Sequence, residues 1–424
     1  MRNKRIIAAL LFITFYWALG WQGIFAEEIL TLKAAVDEAL KSNPEILSAK
    51  NSYEAARARI PQELFPEDPM LEYDYDEIRA GVPDLMGKPM RSYAISQTMP
   101  FPTKLILRSK VASRESKILF QAYKEKERDV IARTKNAYFG LWLAENNIVI
   151  TDENQILLEQ FYSSASSRYS VGKASQQDAL KAQVELAKVR NSLILLEEKR
   201  QIARAKLNIL MNKDPRMELI IDKNTKSTAM EISLEELSAM AKEKRPRLQA
   251  FRFAIEKGKD AYMLAWNEFL PDISGRFEQM IEDGSGGKWA GMLGVSVPIW
   301  FWVKQSSGVK QMKSELDMIK AEYNVMENMV LFEVKEAFAK VASQKRLKEI
   351  FETSFVPQAE ASLKASLAGY EAGQVDFLNL LDSQRMLLDI KTEYNGIIAG
   401  LEMNKADLEK AVGADLEKKE SEHI

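Results

Sequence analysis

Two glycines are each followed by side chains that can handle charge. Asp178 lies six residues past Gly172, and Asp376, Asn379 and Asp382 lie three, six and nine residues past Gly373. Carboxylates can exchange protons or hold cations, but a helix start explains Asp376 and is an equal alternative at Asp178. Ser175-x-x-Asp178 is a capping box, and Asp376 falls in a first helical turn, where an acid answers the helix dipole. Asp382 lies beyond that turn and keeps its charge unexplained. Other chemistries are closed. Cysteine is absent, and the one histidine, His423, lies in a polar tail, which removes thiol and imidazole catalysis, disulfides and His/Cys metal sites. No Gly-rich phosphate loop or nucleophile elbow is present. Met312, Met318, Met326 and Met329 suit a copper relay less well than packing on a long helix. The residues therefore predict no enzyme, no cofactor and no metal site.

The elements that must position these acids occur twice. Tyr169-Ser170-Val171-Gly172 and Tyr370-Glu371-Ala372-Gly373 are separated by a constant offset of 201 residues. A heptad seam follows the first, at Leu186, Val189, Leu193, Leu196, Ala203, Leu207 and Leu210. The same offset gives Leu387, Ile390, Tyr394, Ile397, Asn404, Leu408 and Ala411, with the seam diluted at Asn404 and Ala411. One helix and its turn have been copied. Glycine suits the turn because it accepts positive φ, so that one long helix stops and an antiparallel one begins.

Arg2, Lys4 and Arg5 precede an apolar run ending near Ala26, which reads as a secretory signal over residues 1–26; an uncleaved membrane anchor is the alternative. Removing it takes three of the 59 basic residues and none of the 61 acidic ones, moving the net charge from −2 to −5. No basic excess remains to hold nucleic acid.

In the first copy, expected over residues 27–222, a short helix from Thr31 meets Asn43-Pro44, a cap and first-turn proline that start another. In the second, over 223–413, Ser233-Leu234 and Pro246 repeat the arrangement. Each second helix runs into proline, at Pro66 and Pro271, and the period then changes to two. Leu71, Tyr73 and Tyr75 alternate with Glu72, Asp74 and Asp76, and Ile273, Gly275 and Phe277 with Ser274, Arg276 and Glu278. Return strands carry Tyr93, Ile95 and Met99, and Leu293, Val295, Val297 and Ile299. Two hairpins are predicted, at about 69–100 and 272–299, joined through Arg79–Pro89 and Glu282–Lys288. From Lys104 to Val171 there is no proline and one glycine, so a helix of nearly seventy residues, about 100 Å, is possible. Its counterpart from Lys304 contains Pro357, which predicts a kink. Leu219-Ile220-Ile221 could be a short strand, and 414–424 reads as a disordered tail.

Strands of about ten alternating residues match a membrane β-strand. Phe101, Trp289, Trp300 and Trp302 gather at their ends, where an interfacial belt would want them; a soluble hairpin with an aromatic edge is the alternative. Four strands cannot close a barrel, and lipid forbids an open edge. Chains must pool strands. A trimer supplying twelve is the simplest closure that leaves a pore.

The twofold arrangement of two strands and long paired helices, with Tyr-x-x-Gly at both tips and Leu380-Leu381-Asp382-Ser383-Gln384 in the second copy, resembles the TolC family of outer-membrane efflux proteins over residues 30–413. The resemblance implies a mainly α fold with a membrane β-barrel: a homotrimer with a twelve-stranded barrel in the outer membrane and an α-helical coiled-coil tunnel in the periplasm. It implies the exit duct of a tripartite efflux or type I secretion-like system, docked by a periplasmic adaptor and an inner-membrane transporter of RND, ABC or MFS type. By that resemblance Asp382 and Asn379 would line the periplasmic gate, Asp178 would help lock it partly against Tyr370, and Tyr169, Val171, Gly172, Ala372 and Gly373 would meet adaptor hairpins. Serine at 383 replaces the family's alanine, and Ala372 replaces a bulkier residue. Three copies of Asp382 would crowd like charges. The competing reading is a periplasmic coiled-coil scaffold or adaptor without a pore.

Overall fold

The computed structural model describes residues 29–76, 90–172, 174–222, 232–281 and 287–416. The signal at 1–26, both hairpin loops, the linker 223–231 and the end of the tail lie largely or wholly outside these residues. Within them the order is α1 (Leu32–Ser42), α2 (Pro44–Gln62), β1 (Met70–Asp76), β2 (Met90–Met99), α3 (Pro102–Ser170) and α4 (Gln176–Leu210), then α5 (Leu234–Lys244), α6 (Pro246–Asn267), β3 (Asp272–Ile281), β4 (Lys288–Ser296), α7 (Lys304–Ile350), a π-helical turn (Phe351–Phe355), α8 (Val356–Glu371) and α9 (Phe377–Val412). Among the described residues no helix is long and apolar enough to cross a membrane.

Local chemistry sets most of these boundaries. Asn43 accepts from the Glu45 N–H at 2.9 Å to open α2, and Ser233 and Glu236 form a reciprocal capping box on α5. Pro102 starts α3, which runs 69 residues. The expected kink at Pro357 takes a definite form. The helix widens into a π turn at Phe351–Phe355, just before the proline, whose ring would otherwise press on the carbonyl of Thr353 and which has no N–H to give it. The short strand expected at Leu219–Ile221 contracts to one parallel bridge between Ile221 and Leu30.

The chain divides into two compact units. One holds the described residues of Met1–Ala39, Ala137–Ser227 and Gln358–Ala399; the other holds those of Leu40–Asn136, Thr228–Pro357 and Gly400–Ile424. Each unit therefore draws on both sides of the boundary expected at 222.

The second unit carries a four-stranded antiparallel sheet in the order β1-β2-β3-β4. The two hairpins are joined by β2 and β3, with Ile95 opposite Phe277 and Tyr93 opposite Gln279. This register sorts most side chains by character, although Arg91, Gln97 and Gln279 fall with the apolar set and Met292 with the charged one. Leu71, Tyr73, Tyr93, Ile95, Met99, Ile273, Phe277, Trp289, Leu293 and Val295 share one face, and all are exposed, Leu71 and Leu293 by 79% each. Glu72, Asp74, Ser92, Ser96, Ser274, Arg276 and Glu278 share the other. There Arg276 reaches Glu72 across the small residues of β2 and Glu278 at 3.4 Å. The last strand stops at Ser296 rather than at 299. Pro298 cannot donate to a ladder, and Val297 and Ile299 lie beyond it, exposed.

Leu237, Leu248, Val330, Val334, Leu408 and Val412 form this unit's core. Arg245 is buried against it at 2% exposure, paired with Glu125 at 2.9 Å and Glu333 at 3.3 Å. Ala414 and Leu416 pack into the same core, so the ordered chain continues past 413, where the tail was expected to begin. Of the four methionines, Met326 is in the core and Met312 half-buried, whereas Met318 and Met329 are exposed. Packing explains only the first pair.

Candidate functional site

The first unit contains both glycine turns. Gly172 and Gly373 adopt φ of +75° and +73°, and a Cβ on either would meet nothing within 4 Å. Backbone conformation alone is what requires glycine there. Each turn closes on its tyrosine, by Gly172 N–H to the Tyr169 carbonyl at 2.9 Å and Gly373 N–H to that of Tyr370 at 3.1 Å. The helices then restart on caps. Ser175 accepts from the Gln177 N–H at 3.1 Å, and Asp376 accepts from the Asn379 N–H at 2.8 Å, so Asp376 is a helix cap. Tyr169, Val171, Gly172, Ala372 and Gly373 are all exposed.

The two tyrosines at matching positions part company here. Tyr169 faces outward, whereas Tyr370 is 6% exposed and packs on Phe377 with ring centroids 5.4 Å apart. Its hydroxyl is buried with no hydrogen-bond partner among the described residues. Within the described residues of one chain no hydrogen bond joins Asp178 to Tyr370, although both line one cavity of about 350 Å³ together with Arg168 and Phe377. Burial, aided by the charge of Asp178, pushes the Tyr370 phenol up despite Arg168. Arg168 supplies the contact instead, donating to the carbonyls of Tyr370 and Glu371, both at 2.9 Å.

Asp382 is exposed but not bare. Arg385, one turn on, meets it at 3.1 Å and also forks onto Glu185 of α4, with Nε to Oε2 at 3.0 Å. Glu185 is 7% exposed. Burial would raise its carboxyl, but hydrogen bonds from Arg385 and Lys188 outweigh this and hold it below the usual range. Asn379 is exposed, and its carbonyl accepts from the Ser383 hydroxyl at 3.0 Å. Ser383 also bonds Ser366 of α8 at 2.8 Å, a link that alanine could not make. Deeper between α3 and α9, Asn147 pairs with Asn395 at 3.0 Å, and Asn154 with Gln384.

Sequence reasoning missed Arg168, Glu185 and Arg385. The one usable signal was Arg385 at i+3 from Asp382, the spacing of a helical ion pair.

The aromatic residues expected at a lipid interface belong to the second unit. Trp289 stacks on Phe277 at 5.0 Å on the sheet's apolar face. Trp300 and Trp302 lie 5.8 Å apart and are exposed, as is Trp266, stacked on Phe269 at 5.6 Å. Phe101 is half-buried; its N–H donates to Asp272 at 3.1 Å, which also takes the Lys104 ammonium at 2.8 Å. Among the described residues no cluster of His, Cys, Asp and Glu could hold a metal ion.

Comparison with known proteins agrees with this architecture. The family model described as outer membrane efflux protein matches residues 35–213 and 237–414. The cobalt-zinc-cadmium resistance protein CzcC of Cupriavidus metallidurans is 21% identical over 390 residues, covering 91% of this chain and 90% of its own. Among solved structures, CusC superposes with a TM-score of 0.78 at 17% identity, covering 93% of this chain and 94% of its own. The open state of the MtrE outer membrane channel of Neisseria gonorrhoeae gives 0.77 at 17%, covering 91% and 89%. The chain belongs to the outer membrane efflux protein family, whose members are TolC-like, non-enzymatic transport ducts.

Proposed function

We propose that this protein is the outer-membrane exit duct of a tripartite efflux or type I secretion-like system. Three copies pool twelve strands into one barrel in the outer membrane, and their long helices form a tunnel in the periplasm. Asp382, Asn379, Asp178 and Tyr370 belong to its periplasmic gate. Tyr169, Val171, Gly172, Ala372 and Gly373 face a periplasmic adaptor, which links the duct to an inner-membrane transporter of RND, ABC or MFS type. Phe101, Trp289, Trp300 and Trp302 mark the lipid interface.

The sheet carries this reading. One face is mostly apolar and exposed, the other mostly polar or charged, and among the described residues β1 and β4 each have a neighbour on one side only. In lipid an unpaired backbone group costs several kcal/mol, so a four-stranded wall is stable there only once copies of it close into a ring. Alternating faces then suit lipid outside and water inside. A pore-free scaffold would leave that apolar face without a use.

Cargo follows the pump that the duct serves. The relative named for cobalt, zinc and cadmium resistance makes those cations the first cargo to assay. In the test, protein extracted from outer membranes should run as a heat-modifiable trimer and conduct ions in a planar bilayer. A water-soluble monomer with no affinity for bilayers would overturn the reading.

A further inference from the structure

The two copies start their second helices on opposite charges. Asn43-Pro44-Glu45 opens α2 with a side-chain cap and an acid in the first turn, which the positive end of a helix favours. The matching stretch, Arg245-Pro246-Arg247, opens α6 with no side-chain cap and no acid in its first turn. Two guanidiniums stand there instead, beside a cavity of about 700 Å³ lined by α3, α6, α7 and α9. Alanines at 122, 250, 337 and 411 leave that room. The cavity lies wholly within the second unit.

The acids around it are already engaged. Glu125 and Glu333 share Nη2 of Arg245, at 2.9 and 3.3 Å. Lys410 holds Asp129 at 2.6 Å, and Lys340 holds Glu336 at 2.7 Å. Asp407 accepts from Asn136 at 3.0 Å, and Lys126 turns away to Glu45 at 3.1 Å. The unmet groups are mainly donors. Arg245 is 2% exposed, and its Nε and Nη1 are buried without a hydrogen-bond partner among the described residues, a costly state for a charged donor. Arg247 is exposed and makes no ion pair among the described residues, its charge reaching Glu125 only at longer range. The second oxygen of Glu125 is unpartnered too. Protonated, it becomes another donor, and burial pushes that carboxyl in this direction.

We propose that this cavity binds a small soluble oxyanion, a carboxylate or a phosphate, whose negative group is met by Arg245 and Arg247 at the start of α6 and does for α6 what Glu45 does for α2. One anion there answers the helix dipole and both guanidiniums together. Once bound, it ties α6 to α3, α7 and α9. The site does not depend on the duct reading.

The test uses the full-length protein in detergent, with inorganic phosphate and citrate as probes and chloride at matched ionic strength as the control. At least one probe should bind saturably, one per chain by titration calorimetry, and raise the melting temperature above the chloride value, as a ligand of the folded state does. Arg245 is buried against the core and its variants need not fold, so the test rests on exposed Arg247. R247Q should fold and bind about tenfold more weakly, having lost one charge-assisted contact. R247E, which puts an acid where α2 has one, should bind neither probe. Probes that act no better than chloride, or that stabilise wild type and R247E equally, would overturn the site and leave the duct reading untouched. Binding of an anionic lipid in mixed micelles, with neither probe bound, would overturn it as well, because the group held would then be a headgroup.

Discussion

The guanidinium of Arg168 lies 4.6 Å from the centroid of the Tyr370 ring and donates to the carbonyls of Tyr370 and Glu371. A residue on the last turn of α3 thus caps the open carbonyls at the end of α8, where a cation also answers the helix dipole. The tie covers both tips with one side chain. Removing it should cost about 2 kcal/mol, the range for hydrogen bonds to a charged group plus a partly buried cation–π contact. Arg168→Ala should therefore fray both turns, read as faster proteolytic nicking near Gly172 and Gly373 in intact trimers. Arg168→Lys, which keeps the charge but not both donors, should fall between. Equal nicking in all three proteins would leave the tips held by their own turns.

Glycines with the same φ should not respond alike. At Gly373 a methyl group meets open space, so Gly373→Ala should cost about 1–2 kcal/mol of left-handed strain and no more. Gly413, at φ +78°, would place its Cβ 2.8 Å from the Cα of Arg245, a backbone atom that cannot swing aside. Gly413→Ala should lower the melting temperature clearly further than Gly373→Ala. A bulky side chain at Gly373 or Gly172 should uncouple the pump with trimers intact; loss of trimers instead would confine these glycines to folding the turn.

The contrast between Gly373 and Gly413 shows what was legible. A copied Tyr-x-x-Gly and the seam behind it locate the turns, and period-two runs locate the strands, because local pattern is enough for both. The pairing of β2 with β3 was not legible, since each hairpin is complete in itself and only the fold brings Ile95 to Phe277. The same holds for Arg168, Glu185 and Arg385. Their partners lie 200 to 203 residues away, and a charged helix face looks solvated until its neighbour is known. Tyr169 and Tyr370 are equivalent in sequence and opposite in burial for the same reason.

The sheet's two faces predict an asymmetry in substitution. Leu293 lies on the apolar face, where an arginine near the bilayer midplane costs about 2–4 kcal/mol. Ala290 lies on the charged face opposite Glu278, where an arginine would meet an acid and water. Leu293→Arg should reduce the yield of trimers in the outer membrane, whereas Ala290→Arg should assemble and alter conductance. The reverse order would mean that lipid does not cover the apolar face.

Acid should test the ion pair between Glu185 and Arg385 from its thermodynamic side. The ordinary value for this carboxyl is 4.5, and in the folded protein it is held lower, burial opposing and the bonds from Arg385 and Lys188 prevailing. A group whose folded value is depressed contributes stability that is complete above its unfolded value and is lost as the pH falls through the folded one. The groups facing it are Arg385 and Lys188, with Asp382 beyond Arg385. Closure of wild-type channels should therefore stay constant from neutral pH down to about 4.5 and weaken only below it, with α9 released from α4 as Glu185 takes a proton. Glu185→Gln lacks the titrating group and should be open across the whole range, without that acid limb. A limb of equal size in the variant would assign the transition to Asp382 or to another carboxylate.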